Sequence, residues 1–314
     1  MRRLLWTGPT IAIAAAAGLC AAFAGPAAAA ERAGGVFDYD KSKPLEATAS
    51  KAQVTDLARV QKITFKAADG TTVPALLSVP KNANGRVACI LSGHPFTGSK
   101  EEVFGEFSDA YAARGVALMA IDARYHGERK GVGPLKAAAK LDTMYKLFQL
   151  TVIDMRRALD YLDSRGICDP ARVGFEGRSL GGFMGAMLIG ADPRIKAAVL
   201  YVGGADWRTF LPSQAVWLGG NLTGANLDAA VRKLGPIDPR IWIARAAGRP
   251  VFMANGRRDD AVPLAAAKAL HAAAGEPKEI VIYDGGHDTE EPFHTPVYKA
   301  SAAFFKKYLG IPTG

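Results

Sequence analysis

Arg172-Val-Gly-Phe-Glu-Gly-Arg-Ser-Leu-Gly-Gly-Phe-Met-Gly-Ala-Met-Leu-Ile189 is the stretch from which the rest of the chain can be read. Arg172–Phe175 suits a buried strand and Leu180–Ile189 suits a helix. Between them, Gly177-Arg178-Ser179-Leu180-Gly181 fits the pattern G-x-S-x-G, in which a serine occupies a sharp, strained turn from strand to helix. The flanking glycines leave room for the chain to double back, and Gly182 and Gly185 allow close helix packing. Five residues of this kind also describe an ordinary glycine-rich turn. The strand before and the helix after separate the two readings.

Working outward, the elements form an ordered series. Lys62–Phe65 and Thr72–Val79 flank Asp69-Gly70, a hairpin signal. Short apolar runs follow at Arg86–Leu91, Val116–Ile121, Arg172–Phe175, Ala197–Val202, Pro250–Ala254 and Glu279–Tyr283, as expected for strands of a parallel sheet buried on both faces. Helical patterns lie between them, at Val103–Ala113, Leu180–Ile189, Leu264–Ala274 and Pro296–Leu309. In another, Val152, Met155, Leu159 and Leu162 share one face and the helix ends near Gly166. The sum is an α/β domain over residues 59–314. It has eight strands in a mostly parallel sheet, helices on both faces, and a small cap inserted at 206–245. Residues 31–58 show no period and read as an irregular extension over the surface. Ligands of such sheets sit beyond the carboxyl ends of the strands, and the chemistry is sought there.

A serine hydroxyl needs a base to take its proton, and the base needs an acid to orient it. In chain order the serine comes first, then the acid, then the histidine. Asn255-Gly-Arg-Arg-Asp-Asp-Ala-Val-Pro263 follows the seventh strand, and within it Asp259 is preferred to the adjacent Asp260 by its spacing from Gly256 and Val262-Pro263. Gly285-Gly286-His287 follows the eighth strand, on a loop able to reach Ser179. His271, in a helical stretch, and His294, between prolines, read as bystanders. An oxyanion formed at Ser179 needs two backbone donors: the N–H of Leu180, and one from the loop Ser92–Lys100. Pro95 has no N–H, so Phe96 is the second candidate. His94 is expected to hold this loop by a hydrogen bond.

Phe65–Pro80, His94–Lys100, Asp122–Gly127, Phe175–Gly182, Pro250–Pro263 and Gly285–His287 together resemble the α/β-hydrolase superfamily. The similar group within it includes acetyl xylan esterases, dienelactone-hydrolase-like proteins and the catalytic domain of prolyl-oligopeptidase-type peptidases. The resemblance implies the α/β-hydrolase fold and a triad of Ser179, Asp259 and His287. It also implies a serine esterase acting on small-molecule carboxylic esters through an acyl-enzyme, with a prolyl-oligopeptidase-type peptidase or a non-catalytic binding protein as alternatives. Dienelactone hydrolases use a cysteine where this chain has Ser179, so their substrate does not transfer. Asp122-Ala-Arg-Tyr-His126-Gly127 corresponds to a loop that shapes the site rim. Trp207, Phe210 and Trp217 in the expected cap, with Trp242, could line a substrate pocket or form the cap's own core.

The ends and the composition set the setting. Arg2 and Arg3, the apolar run Ile11–Phe23 and Ala28-Ala29-Ala30 form the three parts of a secretory signal over residues 1–30. A periplasmic or secreted protein with no membrane span after cleavage is therefore expected. Removing the leader takes Arg2 and Arg3 from a formal charge of +9, leaving +7. The basic residues are scattered without a nucleic-acid reader motif, so no nucleic-acid partner is expected. No ligand cluster calls for a metal, and the chemistry needs no cofactor; the sequence leaves the oligomeric state open. Two cysteines remain, Cys89 and Cys168. Export permits a disulfide, but Cys89 sits in an apolar run and a buried free thiol is the favoured expectation.

Overall fold

The computed structural model describes residues 35–214, 222–246, 248–287 and 296–313. The expected leader, His294 and Trp217 lie outside these residues. One sheet is built from β3 (Ala58–Lys66), β4 (Thr72–Pro80), β5 (Val87–Gly93), β6 (Val116–Ile121), β7 (Cys168–Arg178), β8 (Ala197–Tyr201), β9 (Val251–Gly256) and β10 (Lys278–Tyr283). Two further strands of two residues each, β1 (Thr48–Ala49) and β2 (Gln53–Val54), pair antiparallel with β3. Pieces so short carry no period that a sequence could reveal.

The order across the sheet is β1-β3-β4-β6-β5-β7-β8-β9-β10. β4 runs antiparallel to β3 and β6, and β5 to β10 run parallel. From β5 the chain passes through α1 (Lys100–Ala113) to β6 on one side. It returns through α2 (Pro134–Ala138) and α3 (Leu141–Ser164) to β7 on the other side of β5. The connections therefore diverge at the carboxyl ends of β5 and β7, and a crevice opens where the strand order reverses.

Alternation along each strand builds two cores. Ala88, Ile90, Leu118 and Val199 face α1 and the C-terminal helix α8 (Tyr298–Leu309), whereas Cys89, Leu91, Met119 and Leu200 face α3 and α4 (Leu180–Ala191). The expected burial on both faces fails at β10, the edge strand, where Ile280 is exposed. α4 is apolar all round and buried from Leu180 to Ile189, so it is a core helix and has no polar face to keep.

The described residues between 206 and 245 form α5 (Trp207–Phe210), a 3-10 turn over Leu211–Gln214, α6 (Gly224–Leu234) and α7 (Pro239–Ala244), with shorter connections. The Asp238 carboxylate accepts from the N–H groups of Arg240, Asp206 and Trp207, tying the two ends of this segment together. The N-terminal extension is anchored more firmly than its irregular sequence suggests. Phe37 is buried edge-on against Trp242, with ring centroids 4.5 Å apart. The Arg157 guanidinium donates to the carbonyls of Lys43, Pro44 and Lys66.

The free-thiol expectation is corrected. Cys89 and Cys168 form a disulfide with their Cα atoms 5.5 Å apart. β7 begins at Cys168 rather than Arg172, and its pairing with β5 is irregular between Val87 and Cys89. That irregularity brings Cys168, which pairs with Val87, alongside Cys89 two residues further on. Burial and pairing are compatible here because both sulfurs belong to neighbouring strands of one sheet.

Candidate active site

Ser179 caps the end of β7 at φ 54° and ψ −113°, a positive-φ conformation that costs a non-glycine residue on the order of 1–3 kcal/mol. Tight packing holds it there. A Cβ on Gly181 would come within 2.2 Å of the Gly93 carbonyl oxygen, so only glycine lets the first turn of α4 lie against the end of β5. The Ser179 N–H donates to the Tyr201 carbonyl at 2.9 Å, pinning the turn to β8.

Two other strand ends supply the acid and the base. Asp259 lies beyond β9 with its side chain fully buried, while Asp260 beside it is exposed. One Asp259 oxygen accepts from the N–H groups of Ala261 (2.9 Å) and Val262 (2.7 Å). The other lies 2.8 Å from His287 Nδ1. A carboxylate accepts only, so Nδ1 carries the proton and Nε2 turns its lone pair to Ser179 Oγ, 2.9 Å away. The loops bearing Asp259 and His287 are bound to each other. Arg258 N–H donates to the Gly285 carbonyl, and a Cβ on Gly256 would strike the Gly286 oxygen at 2.1 Å.

The loop after β5 closes the third side. His94 Nε2 accepts from the Ala123 N–H at 3.0 Å, which leaves Nδ1–H to donate to the Pro95 carbonyl at 2.7 Å. That carbonyl shares a peptide unit with the Phe96 N–H. Burial lowers the His94 pKa to about 4, so the ring keeps the neutral form this bridge requires. Asp122 accepts from Lys100 N, Lys100 Nζ and Glu128 N, fixing the far end of the same loop against the Asp122–Gly127 segment. Arg124 of that segment is held by Asp154 and Asp69, away from Ser179.

Ser179, His287, Leu180 and Phe96 all face one cavity of about 210 Å³. Its remaining wall is mainly Met144, Leu147, Phe148, Phe183, Phe210 and Val262. Leu180 is the first residue of α4, and its N–H belongs to the helix-start donors that have no intrahelical acceptor. Of the aromatic residues expected at the pocket, Phe210 reaches the wall. Trp207 does not: it is fully buried, its Nε1 donates to the Leu234 carbonyl, and its ring backs Phe183 and Phe210. Trp242 is also core, its indole N–H bound to the Pro236 carbonyl. His271 is a support that the sequence did not identify. Buried and lowered in pKa to about 4 by that burial, it donates through Nε2 to Asn255 Oδ1, and Asn255 Nδ2 in turn donates to the Gly203 carbonyl. This fixes the end of β9 from which the Asp259 loop departs.

A parallel sheet with a reversal of strand order, and a serine on a strained strand-to-helix turn beside a histidine and a buried acid, define an α/β-hydrolase. The chain belongs to the acetyl xylan esterase family, which it matches over residues 38–203, and to the prolyl oligopeptidase family, matched over residues 139–312. Among solved structures it is similar to an acetyl xylan esterase from Paenibacillus sp. R4. The TM-score is 0.70 at 23% identity, covering 89% of this chain and 93% of that one. It is also similar to acetyl xylan esterase 1 from Thermoanaerobacterium sp. JW/SL YS485, with a TM-score of 0.71 at 19% identity, covering 90% and 92%. Both likenesses are of fold. An uncharacterized protein of Pseudomonas aeruginosa, PA2218, is 26% identical over 216 residues, which are 68% of this chain and 52% of that protein. The chain spans about half the length of the curated relatives it matches.

Proposed function

We propose that the protein is a serine esterase that hydrolyses carboxylic esters through an acyl-enzyme. The observation that carries this reading is the continuous chain from Asp259 through His287 to Ser179 Oγ, opening on an apolar cavity. Ser179 Oγ attacks the ester carbonyl carbon while His287 Nε2 takes its proton. The negative charge on the carbonyl oxygen is met by the N–H groups of Leu180 and Phe96. When the tetrahedral intermediate collapses, the carbon–alkoxy bond breaks and His287 returns the proton to the departing alcohol. Water, activated by His287 in the same way, then attacks the acyl-enzyme and releases the acid and a regenerated Ser179.

A peptidase is the second reading, supported by the prolyl oligopeptidase match over 139–312. It uses the same residues with an amine as leaving group, so a panel of matched esters and amides separates the two. An active-site fluorophosphonate is expected to label Ser179, and Ser179→Ala to lose labelling and ester hydrolysis by about 10³-fold or more while remaining folded. A folded, fully active Ser179→Ala protein refutes the triad.

Export is proposed with this function. The buried Cys89–Cys168 disulfide supports it, because such bonds persist in oxidising compartments. Mass spectrometry of protein recovered from periplasm or medium should find a chain beginning near Glu31; a retained Met1 there contradicts the leader.

A further inference from the structure

The cavity at Ser179 is larger and drier than an acetyl group requires. Among the described residues its wall is almost wholly hydrocarbon beyond Ser179 and His287. Gln214 is a polar exception, and its amide nitrogen is already donated to the Ala261 carbonyl at 2.6 Å and the Ser213 hydroxyl at 2.9 Å. Thr97 is exposed, at the mouth. Against the described wall residues a sugar ring would find few partners for its hydroxyl groups, and a buried unpaired hydroxyl is costly. An apolar cavity of about 150 Å³ is enough to take a benzene ring. At about 210 Å³ this one exceeds that by room for further carbon atoms, while the two carbons of an acetyl group fill a minor part of it.

The short helix α2 extends the apolar surface outward. Ala138, at its inner end, lines the cavity, and Leu135 one turn before it is exposed, as is Val132 in the preceding turn.

We propose that this site selects carboxylic esters carrying an apolar group of roughly six to eight carbons, or a phenyl ring, in place of acetyl esters of sugars. The proposal rests on the hydrolase reading and adds the substrate class to it. Phe148, Phe183 and Phe210 form the apolar wall that contacts the group, with Met144 and Leu147 contributed by α3.

Two ester series test it on the purified protein: p-nitrophenyl esters from acetate to decanoate and benzoate, and acetates of methyl, hexyl and benzyl alcohols. Acetylated xylo-oligosaccharide serves as comparator. kcat/KM is expected to rise by up to about fourfold per methylene, the gain from burying one CH2 fully, so that hexanoate exceeds acetate by between about tenfold and about 250-fold, and to fall beyond about eight carbons. A rise in the acyl series places the acyl group in the cavity, and a rise in the alcohol series places the alkoxy group there. Met144→Trp should lower the hexanoate-to-acetate ratio several-fold by filling the space. Direct binding to Ser179→Ala protein separates this proposal from the chemistry: p-nitrophenyl hexanoate should bind more tightly than the acetate even if no turnover occurs. Absence of both labelling and hydrolysis in the wild type overturns the hydrolase reading alone. Equal binding of the two esters, a preference that declines from acetate in both series, or acetylated xylo-oligosaccharide as the best substrate overturns the apolar selection.

Discussion

Glu176 stands three residues before Ser179 on β7, facing the side of the sheet opposite the Ser179 cavity, and it should make the protein less stable as pH rises. The residue is 2% exposed; one carboxyl oxygen accepts from Tyr111 OH at 2.8 Å, and the other has no hydrogen-bond partner among the described residues. Burial raises its pKa from 4.5 to about 8. In the unfolded chain the group ionises near the ordinary value, whereas the folded protein holds the proton until about pH 8. Between those limits the unfolded state binds fewer protons, so stability falls as pH rises. At 1.36 kcal/mol per unit, the loss between pH 4.5 and pH 8 has a ceiling of about 5 kcal/mol, and about 3 kcal/mol of it has accrued by pH 7. Glu176→Gln keeps the shape and the acceptor for Tyr111 and cannot ionise. The variant is therefore expected to match the wild type near pH 4.5 and to exceed it progressively up to pH 8, by as much as several degrees in Tm. Urea unfolding of both proteins from pH 4.5 to 8.5 measures the difference directly. A gap between wild type and variant that does not change with pH would falsify the claim that this carboxyl is held protonated.

The adjacent acids should separate cleanly. Asp259→Asn removes the acceptor for His287 Nδ1–H and should lower kcat by about 10²- to 10⁴-fold, while Asp260→Asn, at an exposed position, should stay within a few-fold. Equal losses from the two changes would count against the assignment. The disulfide closes a loop 79 residues apart in sequence, so Cys89→Ala/Cys168→Ala should cost about 4 kcal/mol in urea unfolding; a loss below about 1 kcal/mol would mean the bond does little. Activity should decline toward acid pH as His287 is protonated and ceases to be a base, with His94 remaining neutral above about pH 5 because burial holds it at about 4. A rate independent of pH between about 5 and 8 argues against a histidine base.

Sequence alone determined the elements whose physics is local or strictly ordered. Val116–Ile121 is a strand because six consecutive apolar residues suit a position buried on both faces, and the same bounds appear in the sheet. The helix at Leu180 follows from glycine spacing and an apolar run, and the succession serine, acid, histidine needs only chain order. The tertiary structure decided whatever depends on residues distant in sequence meeting in space. Asp259 and Asp260 differ by one position and by little chemistry. Only the loop tied by Ala261 and Val262 N–H groups buries one carboxylate and exposes the other. Trp207 and Phe210 are both aromatic and three residues apart, yet packing sends Phe210 to the cavity and Trp207 behind it. Cys89 and Cys168 looked like separate buried thiols because the irregular pairing of β5 with β7 leaves no mark in composition or period. Burial and pairing across 28 or 79 residues are properties of the assembled sheet, and no window of sequence contains them.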